Sequence, residues 1–467
     1  MSPFNKEILR LAVPSILASI TVPIVGMVDL AVAGHLDGNA AVLIGGVSIG
    51  TLLFDLLYWN FSFLRTGTGG LTAQAYGRGD MKSAADALFR SSGMALAVAA
   101  ICILIQWVFV DFAFLFVKCS PEVRDLAERY FHIRIWAAPA TLSLMALKGW
   151  FIGMQDSLNP MIVDFIVNLG NVLVSIVLAM GFTLGGFRFE GIGFDGIAAG
   201  TLIAQYSGLL YAVAVILLRY RNVFAGYSFR GVSRLFVDSG MKSYFRLNAD
   251  LFVRSLCIMA IYAGITVISA RYGDMMLAVS SILVQMMMLF SYFTDGFAYA
   301  GEALTGKYIG MGSRDGVVRT VRHVFAWSMG VAVLFVFIYA ILGVPVLRLL
   351  TSDAEVVSAS AAFIPWLVPM PIIGCAAFAW DGIYIGATSS GPIRDCTIWA
   401  VAAFFIVWFA GERVLNPSAE LSPDIAVHIL MAAYDVHVLV RLAYLTVLYP
   451  KSILSVPFSG SKTSGNA

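Results

Sequence analysis

Charge is scarce in this sequence. Of its 467 residues only 12% are Asp, Glu, Lys or Arg, against about 25% in an ordinary soluble domain, so a water-facing surface cannot be assembled from it. The few charges nearly cancel, with 30 Lys and Arg against 28 Asp and Glu for a net +2, which excludes a nucleic-acid binder held by a basic face. The five cysteines (Cys102, Cys119, Cys257, Cys375 and Cys396) are scattered, with no spacing that suggests a disulfide framework or a zinc site. The five histidines (His35, His132, His323, His428 and His437) likewise show no metal or nucleophile spacing, and the reading is of a protein that is not an enzyme and carries no cofactor. No G-x-x-x-x-G-K-[ST] phosphate loop occurs, so uphill work must be driven by an ion gradient or the membrane potential.

What the sequence has instead is apolar length. Sixty per cent of its residues are hydrophobic, gathered in runs that meet the roughly 20 residues a membrane-crossing helix needs. Twelve such runs are predicted, near 8–34, 42–73, 83–117, 122–149, 160–183, 193–219, 246–271, 276–309, 317–349, 356–387, 393–411 and 424–449. No signal-peptide pattern with a cleavage site precedes the first. With the N-terminus inside, 19 Lys and Arg fall on the inner side and 6 on the outer, so the positive-inside rule puts both termini in the cytoplasm. The expectation is an all-α integral membrane protein whose twelve transmembrane helices form two lobes: residues 1–220 and 246–450, joined by a basic cytoplasmic linker 221–245 and followed by a tail 451–467.

The two lobes resemble each other. Trp136-Ala-Ala-Pro139 recurs as Trp366-Leu-Val-Pro369, Lys148-Gly-Trp-Phe-Ile-Gly153 as Asp381-Gly-Ile-Tyr-Ile-Gly386, and Leu71-Thr-Ala-Gln-Ala-Tyr-Gly77 as Leu304-Thr-Gly-Lys-Tyr-Ile-Gly310. The offset is near 232 throughout. Six spans per half preserve orientation, which makes a parallel repeat about the membrane normal with a cavity expected between the halves, a layout suited to alternating access.

Ionisable groups at membrane depth are costly and therefore functional candidates. Asp29 is the lone acid of its span. Asn168, Asn171 and Ser175 are spaced by three and four, on one helical face, and Thr201 of the next span can join them. A carboxyl among amides and hydroxyls is a natural proton-exchanging element. The second half offers Asp250 and Arg254, four apart and able to pair along one helix, then Asp295, Glu302 and Asp381. These residues, with Asn168, suit a substrate or second-cation site. Asp164 sits where a carboxylate favours a helix N-terminus. His437, with Asp435 and Arg441, reads as packing or a helix-end cluster.

With these residues in view, the chain resembles the multidrug and toxic compound extrusion (MATE) family, in its DinF-like branch. The resemblance rests on Leu11-Ala-Val-Pro14 leading to Val28-Asp-Leu-Ala-Val-Ala-Gly-His35, and on Phe63-Leu-Arg-Thr-Gly-Thr-Gly-Gly-Leu-Thr-Ala-Gln-Ala-Tyr-Gly77. Leu247-Asn-Ala-Asp-Leu-Phe-Val-Arg-Ser255, Asp295-Gly-Phe-Ala-Tyr-Ala-Gly-Glu-Ala303 and Asp381-Gly-Ile-Tyr-Ile-Gly-Ala387 complete it. It implies a V of two six-helix lobes in the inner membrane and export of small organic, mainly cationic compounds against H+ or Na+. It also implies an ion-coupling cluster that maps onto Asp29, Asn171, Ser175 and Thr201. Ser175 stands where the family pattern has a second acid, which weakens a sodium site, since a hard cation prefers several oxygen ligands including carboxylates, and favours H+. The partners expected are these small molecules and the lipid bilayer, with no nucleic acid, and the chain is expected to be a monomer. A flippase of the related lipid-linked-sugar type would call for a basic cavity, whereas the in-span charge here is mainly acidic.

Overall fold

A computed structural model of the chain describes residues 3–184, 187–227, 229–351, 353–415 and 422–455. Among the described residues, twelve helices are long and apolar enough to cross a membrane: α1 (Pro3–Gly34), α2 (Ala40–Gly77), α3 (Met81–Leu104), α4 (Pro121–Gly153), α5 (Leu158–Met180), α6 (Asp195–Arg219), α7 (Gly240–Ala270), α8 (Asp274–Gly310), α9 (Arg314–Leu350), α10 (Ile364–Gly386), α11 (Ser390–Val414) and α12 (Pro423–Ser452). Helices are the natural outcome for such runs, because lipid offers the backbone no hydrogen-bonding partner and each segment must satisfy its own N–H and C=O groups.

Two apolar runs are divided into separate helices, while 3-10 turns at Trp59–Ser62 and Ile135–Ala137 interrupt α2 and α4 without ending them. Residues 83–117 divide at Ile105 into α3 and a separate helix Gln106–Phe114, where the Gln106 amide donates to the Ile103 carbonyl at 2.8 Å. Residues 356–387 divide into a short helix Ala354–Ala361 and α10. Pro365 lies at the first turn of the second piece, where its missing N–H costs nothing. Among the described residues the one sheet is a small antiparallel ribbon between α5 and α6, β1 (Phe182–Leu184) with β2 (Phe187–Phe189), Phe182 opposite Phe189.

The residues divide into two compact units, one formed by 17–245 and the other by the residues up to 16 together with those from 246 onward. Here the first unit is residues 17–245. Local packing explains where the start of α1 falls. Glu7 pairs with Lys307 and accepts a hydrogen bond from Tyr308 at 3.4 Å, and the Phe4 ring stacks on Tyr308 at 5.7 Å. The stretch 221–245, read as a connection, packs within the first unit. Arg90 of α3 forms an ion pair with Asp238 at 2.8 Å, and Phe236 lies so close to Gly93 that a Cβ there would come within 2.3 Å of its ring.

The duplication is visible in the backbone at an offset of 233. In each unit the fourth helix is strongly enclosed, with 72% of the apolar stretch buried in α4 and in α10. Each of these helices presses two glycines onto the carbonyls of a neighbour. A Cβ at Gly149 would lie 2.1 Å from the Arg65 oxygen, and one at Gly382 would lie 2.0 Å from the Ala298 oxygen. Gly153 on Gly69 and Gly386 on Glu302 repeat the contact one turn later, at 2.7 and 2.2 Å. Small residues that let helix backbones approach are the principal packing device where lipid is as apolar as the helices themselves. The turns repeat too. Gly79 and Gly312 both adopt left-handed φ, +71° and +69°, and Asp80 and Ser313 then cap α3 and α9 by accepting the N–H of Ser83 at 3.0 Å and of Gly316 at 3.1 Å.

Candidate functional site

In the first unit the contact between α5 and α6 gathers Asn171, Ser175 and Thr201. Gly196 and Gly200, four apart on α6, allow the approach: a Cβ at Gly200 would stand 2.2 Å from the Ser175 hydroxyl and one at Gly196 2.5 Å from the Ala179 nitrogen. Ser175 is fully enclosed. Its hydroxyl donates to the Ile197 carbonyl at 3.3 Å, and Thr201 donates to the same oxygen at 3.3 Å. The Asn171 amide donates to Thr201 at 2.6 Å. The Asn171 carbonyl oxygen is buried with no hydrogen-bond partner. One turn earlier Asn168 donates to Thr21 of α1 at 2.5 Å, a contact within the first unit.

Asp29 stands on the same helix as Thr21. From Thr21 to Asp29 is eight residues, and from Asn168 to Ser175 seven, about 12 and 10 Å at ~1.5 Å per residue. Both helices enter from the same side, so Asp29 and Ser175 lie at similar depth. Asp29 is only 6% exposed, and its Oδ1 has no hydrogen-bond partner. The Tyr58 hydroxyl of α2 is buried and equally without one. The charged group that acts on Asp29 is Arg134 of α4, which also acts on Asp55 and Tyr58. Arg134 forms no close ion pair with either acid. Its guanidinium donates to the Tyr130 hydroxyl at 3.0 Å and sits 4.7 Å from the centre of the Phe54 ring.

The second unit arranges its charges differently. The expected pairing of Asp250 with Arg254 along α7 is not formed, because each has a better partner on another helix. Arg254 donates to Asp381 Oδ2 at 2.6 Å, and Arg441 of α12 donates to the same oxygen. Asp250 accepts from Arg394 at 2.6 Å and from Ser390 at 2.7 Å, while Arg394 also holds Asp395 at 2.7 Å. Glu302 is 1% exposed on α8, seven residues beyond Asp295. Arg441 is thus an internal counter-charge rather than part of a helix-end cluster. Asp164, read as a helix N-terminal acid, is ion-paired with Lys148 of α4. Among the described residues no group of three or more His, Cys, Asp or Glu is placed to hold a metal ion.

Sequence spacing finds Asn171, Ser175 and Thr201, but not Arg134. Its signal is plain in retrospect: a lone cation directly before Ile135-Trp-Ala-Ala-Pro139, one of the duplicated motifs.

The MatE family profile matches residues 14–177 and 251–407, one stretch in each half of the chain. The chain is 34% identical over 406 residues to DNA damage-inducible protein F of Escherichia coli (strain K12), covering 86% of this chain and 84% of that protein. It is 23% identical over 397 residues to the probable multidrug resistance protein NorM of Thermotoga maritima, covering 84% and 80% respectively. Among solved structures, a MOP superfamily transporter from Pyrococcus furiosus superposes with a TM-score of 0.82 at 15% identity, covering 97% of this chain and 96% of that one.

Proposed function

The chain belongs to the MATE family of multipass membrane transporters, and we propose that it works as a secondary antiporter in the cytoplasmic membrane, exporting organic cations in exchange for H+. The observation that carries this reading is Asp29, a carboxyl buried at membrane depth with no ion pair and with an oxygen free of hydrogen bonds. A structural acid in such surroundings is normally matched by a cation or by donors; one left open is suited to gaining and losing a proton. Protonation of Asp29 from outside removes its hold on a cationic substrate, which leaves outward; loss of the proton to the cytoplasm restores the negative charge and reloads the site. The chain acts in this reading as a monomer with both termini in the cytoplasm.

Sodium coupling through the acids of the second unit is the rival. It is disfavoured because Asp381 and Asp250 already hold guanidinium groups, which a hard cation would have to displace. The test is ethidium transport in proteoliposomes under separate H+ and Na+ gradients, comparing wild type with Asp29→Asn. The pH gradient should drive the wild type and fail to drive the variant. Transport driven only by sodium and indifferent to Asp29→Asn would overturn the assignment.

A further inference from the structure

Each break that divides an apolar run is held by a histidine, and the two are held by opposite chemistry. In the first unit Gln106, at the break after Ile105, donates its amide nitrogen to the Ile103 carbonyl at 2.8 Å. Its oxygen faces His132 of α4, 3.0 Å from Nδ1. An amide oxygen only accepts, so the His132 proton is on Nδ1. In the second unit Trp366 follows Pro365 at the start of α10 and donates its indole N–H to Nδ1 of His428 on α12 at 2.8 Å. An indole only donates, so this Nδ1 is bare and the proton is on Nε2. His428 is exposed, which gives protons access to it. Its ring nevertheless lies 4.8 Å from that of Phe363, the buried residue directly before α10. The contact thus ties the break to a neighbouring helix.

Histidine is the side chain that changes charge between about pH 5 and 8, and here a proton acts in opposite senses. His132 takes it at Nε2, keeps its Nδ1–H and holds the amide oxygen through a charge-assisted bond, the stronger kind. His428 has only Nδ1 to receive it, and the indole N–H already points there. Two donors then meet and the bond is lost. We infer that Trp366–His428 is an acid-released latch that holds the start of α10 to α12 at neutral pH and frees it in acid, while His132–Gln106 stays shut at either pH. Counting crossings from a cytoplasmic N-terminus puts both breaks on the outer side, from which protons enter in the proposed cycle. That timing rests on the antiport reading; the latch itself rests on its hydrogen bond. The charged groups at this end of the packed elements are Asp424 on α12, Glu412 and Arg413 on α11, Asp353 and Glu355 on the short helix, and Asp274 on α8. Asp353 is engaged as a cap, accepting the N–H of Glu355 at 2.9 Å.

The test is indole NMR of the full-length chain labelled with ¹⁵N-tryptophan. Its nine tryptophans give nine side-chain signals, and the one lost in Trp366→Phe is assigned to Trp366. Between about pH 8 and 5 this signal should move from a hydrogen-bonded to a free position in the wild type. In His428→Gln, whose amide oxygen accepts from the indole at any pH, it should stay bonded throughout. In His428→Phe, which has no acceptor, it should be free throughout. A wild-type signal that does not move overturns the latch, and so does one that moves equally in His428→Gln, since the neighbouring acids would then be responsible. If one His428 variant does not fold, the other decides. Ethidium exchange in proteoliposomes reads the latch's part in the cycle. His428→Gln should match the wild type with the outside at pH 8 and fall below it with the outside acidic; equal rates in acid overturn that part. Asp29→Asn is run alongside. If it keeps pH-driven exchange while the Trp366 signal still moves, the antiport reading fails and the latch stands; the converse pair of results fails the latch alone.

Discussion

The two units of this chain share a backbone plan and differ in how they hold one buried acid each, Asp29 in the first and Asp381 in the second. In the first, Asp29 keeps an oxygen without a partner and Arg134 rests on aromatic rings. In the second, Arg254 and Arg441 converge on one oxygen of Asp381, and Arg394 bridges Asp250 and Asp395. A closed ion pair is committed: removing either member strands the other in a low-dielectric interior, at a cost of about 3–5 kcal/mol. A charge left open contributes less to stability and remains available for exchange.

Three measurements bear on that contrast, in falling order of effect. Asp381→Ala strands two guanidiniums and should lower stability by about 3–5 kcal/mol, seen as a large drop in the thermal midpoint of the detergent-purified protein. Asp29→Asn should leave that midpoint nearly unchanged while abolishing pH-driven exchange. Equal losses of stability in the two variants would break the distinction drawn above. Next come the repeated glycine contacts. Gly149→Ala and Gly382→Ala each push a methyl group against a backbone oxygen, and overpacking of this kind costs about 1–3 kcal/mol. Because the contact distances nearly coincide, the two costs should agree; a marked inequality would mean the units differ in packing as well as in charge.

The smallest effect lies at the repeated caps. Asp80→Ala and Ser313→Ala should each cost about 1 kcal/mol, but only the first loss should depend on pH. Hydrogen bonds from the Ser83 hydroxyl and backbone N–H hold the Asp80 carboxyl below the usual carboxylate range. A carboxyl lowered by folding contributes stability above its unfolded value, about 3.9, and loses it as pH falls through its folded value. The gap between wild type and Asp80→Ala should therefore close in acid, while that for Ser313→Ala stays constant. Thermal midpoints compared at pH 7 and below pH 4 read the difference.

How far the sequence alone reaches depends on the range of the interaction. The twelve crossings follow from run length, and the gathering of Asn171 and Ser175 follows from their four-residue spacing on one helix. Breaks within runs, at Ile105 and before Pro365, are harder to see because the apolar pattern passes through them without interruption. Pairing is harder still. Asp250 and Arg254 have the right spacing to bond along α7, yet interhelical partners prevail, Arg394 reaching Asp250 and Arg254 reaching Asp381, each at 2.6 Å. Arg134 escapes notice for the same reason: its significance lies in Asp29 and Phe54, which are remote in sequence.

The turn and glycine contacts repeated at a fixed offset also carry information about descent. Gly79, Asp80, Gly149 and Gly153 have counterparts in Gly312, Ser313, Gly382 and Gly386, whereas neither Asp29 nor Arg134 has one: position 262 is Tyr262, and Ile364 precedes the Trp366 motif where Arg134 precedes the Trp136 motif. Both halves keep the same steric mould at these positions, while the charges inside it differ. Steric inheritance of that kind makes the mould the tolerant host: it accepted two opposite electrostatic programmes in a single polypeptide, and chimaeras that transplant charges while sparing these glycines would retrace the same history.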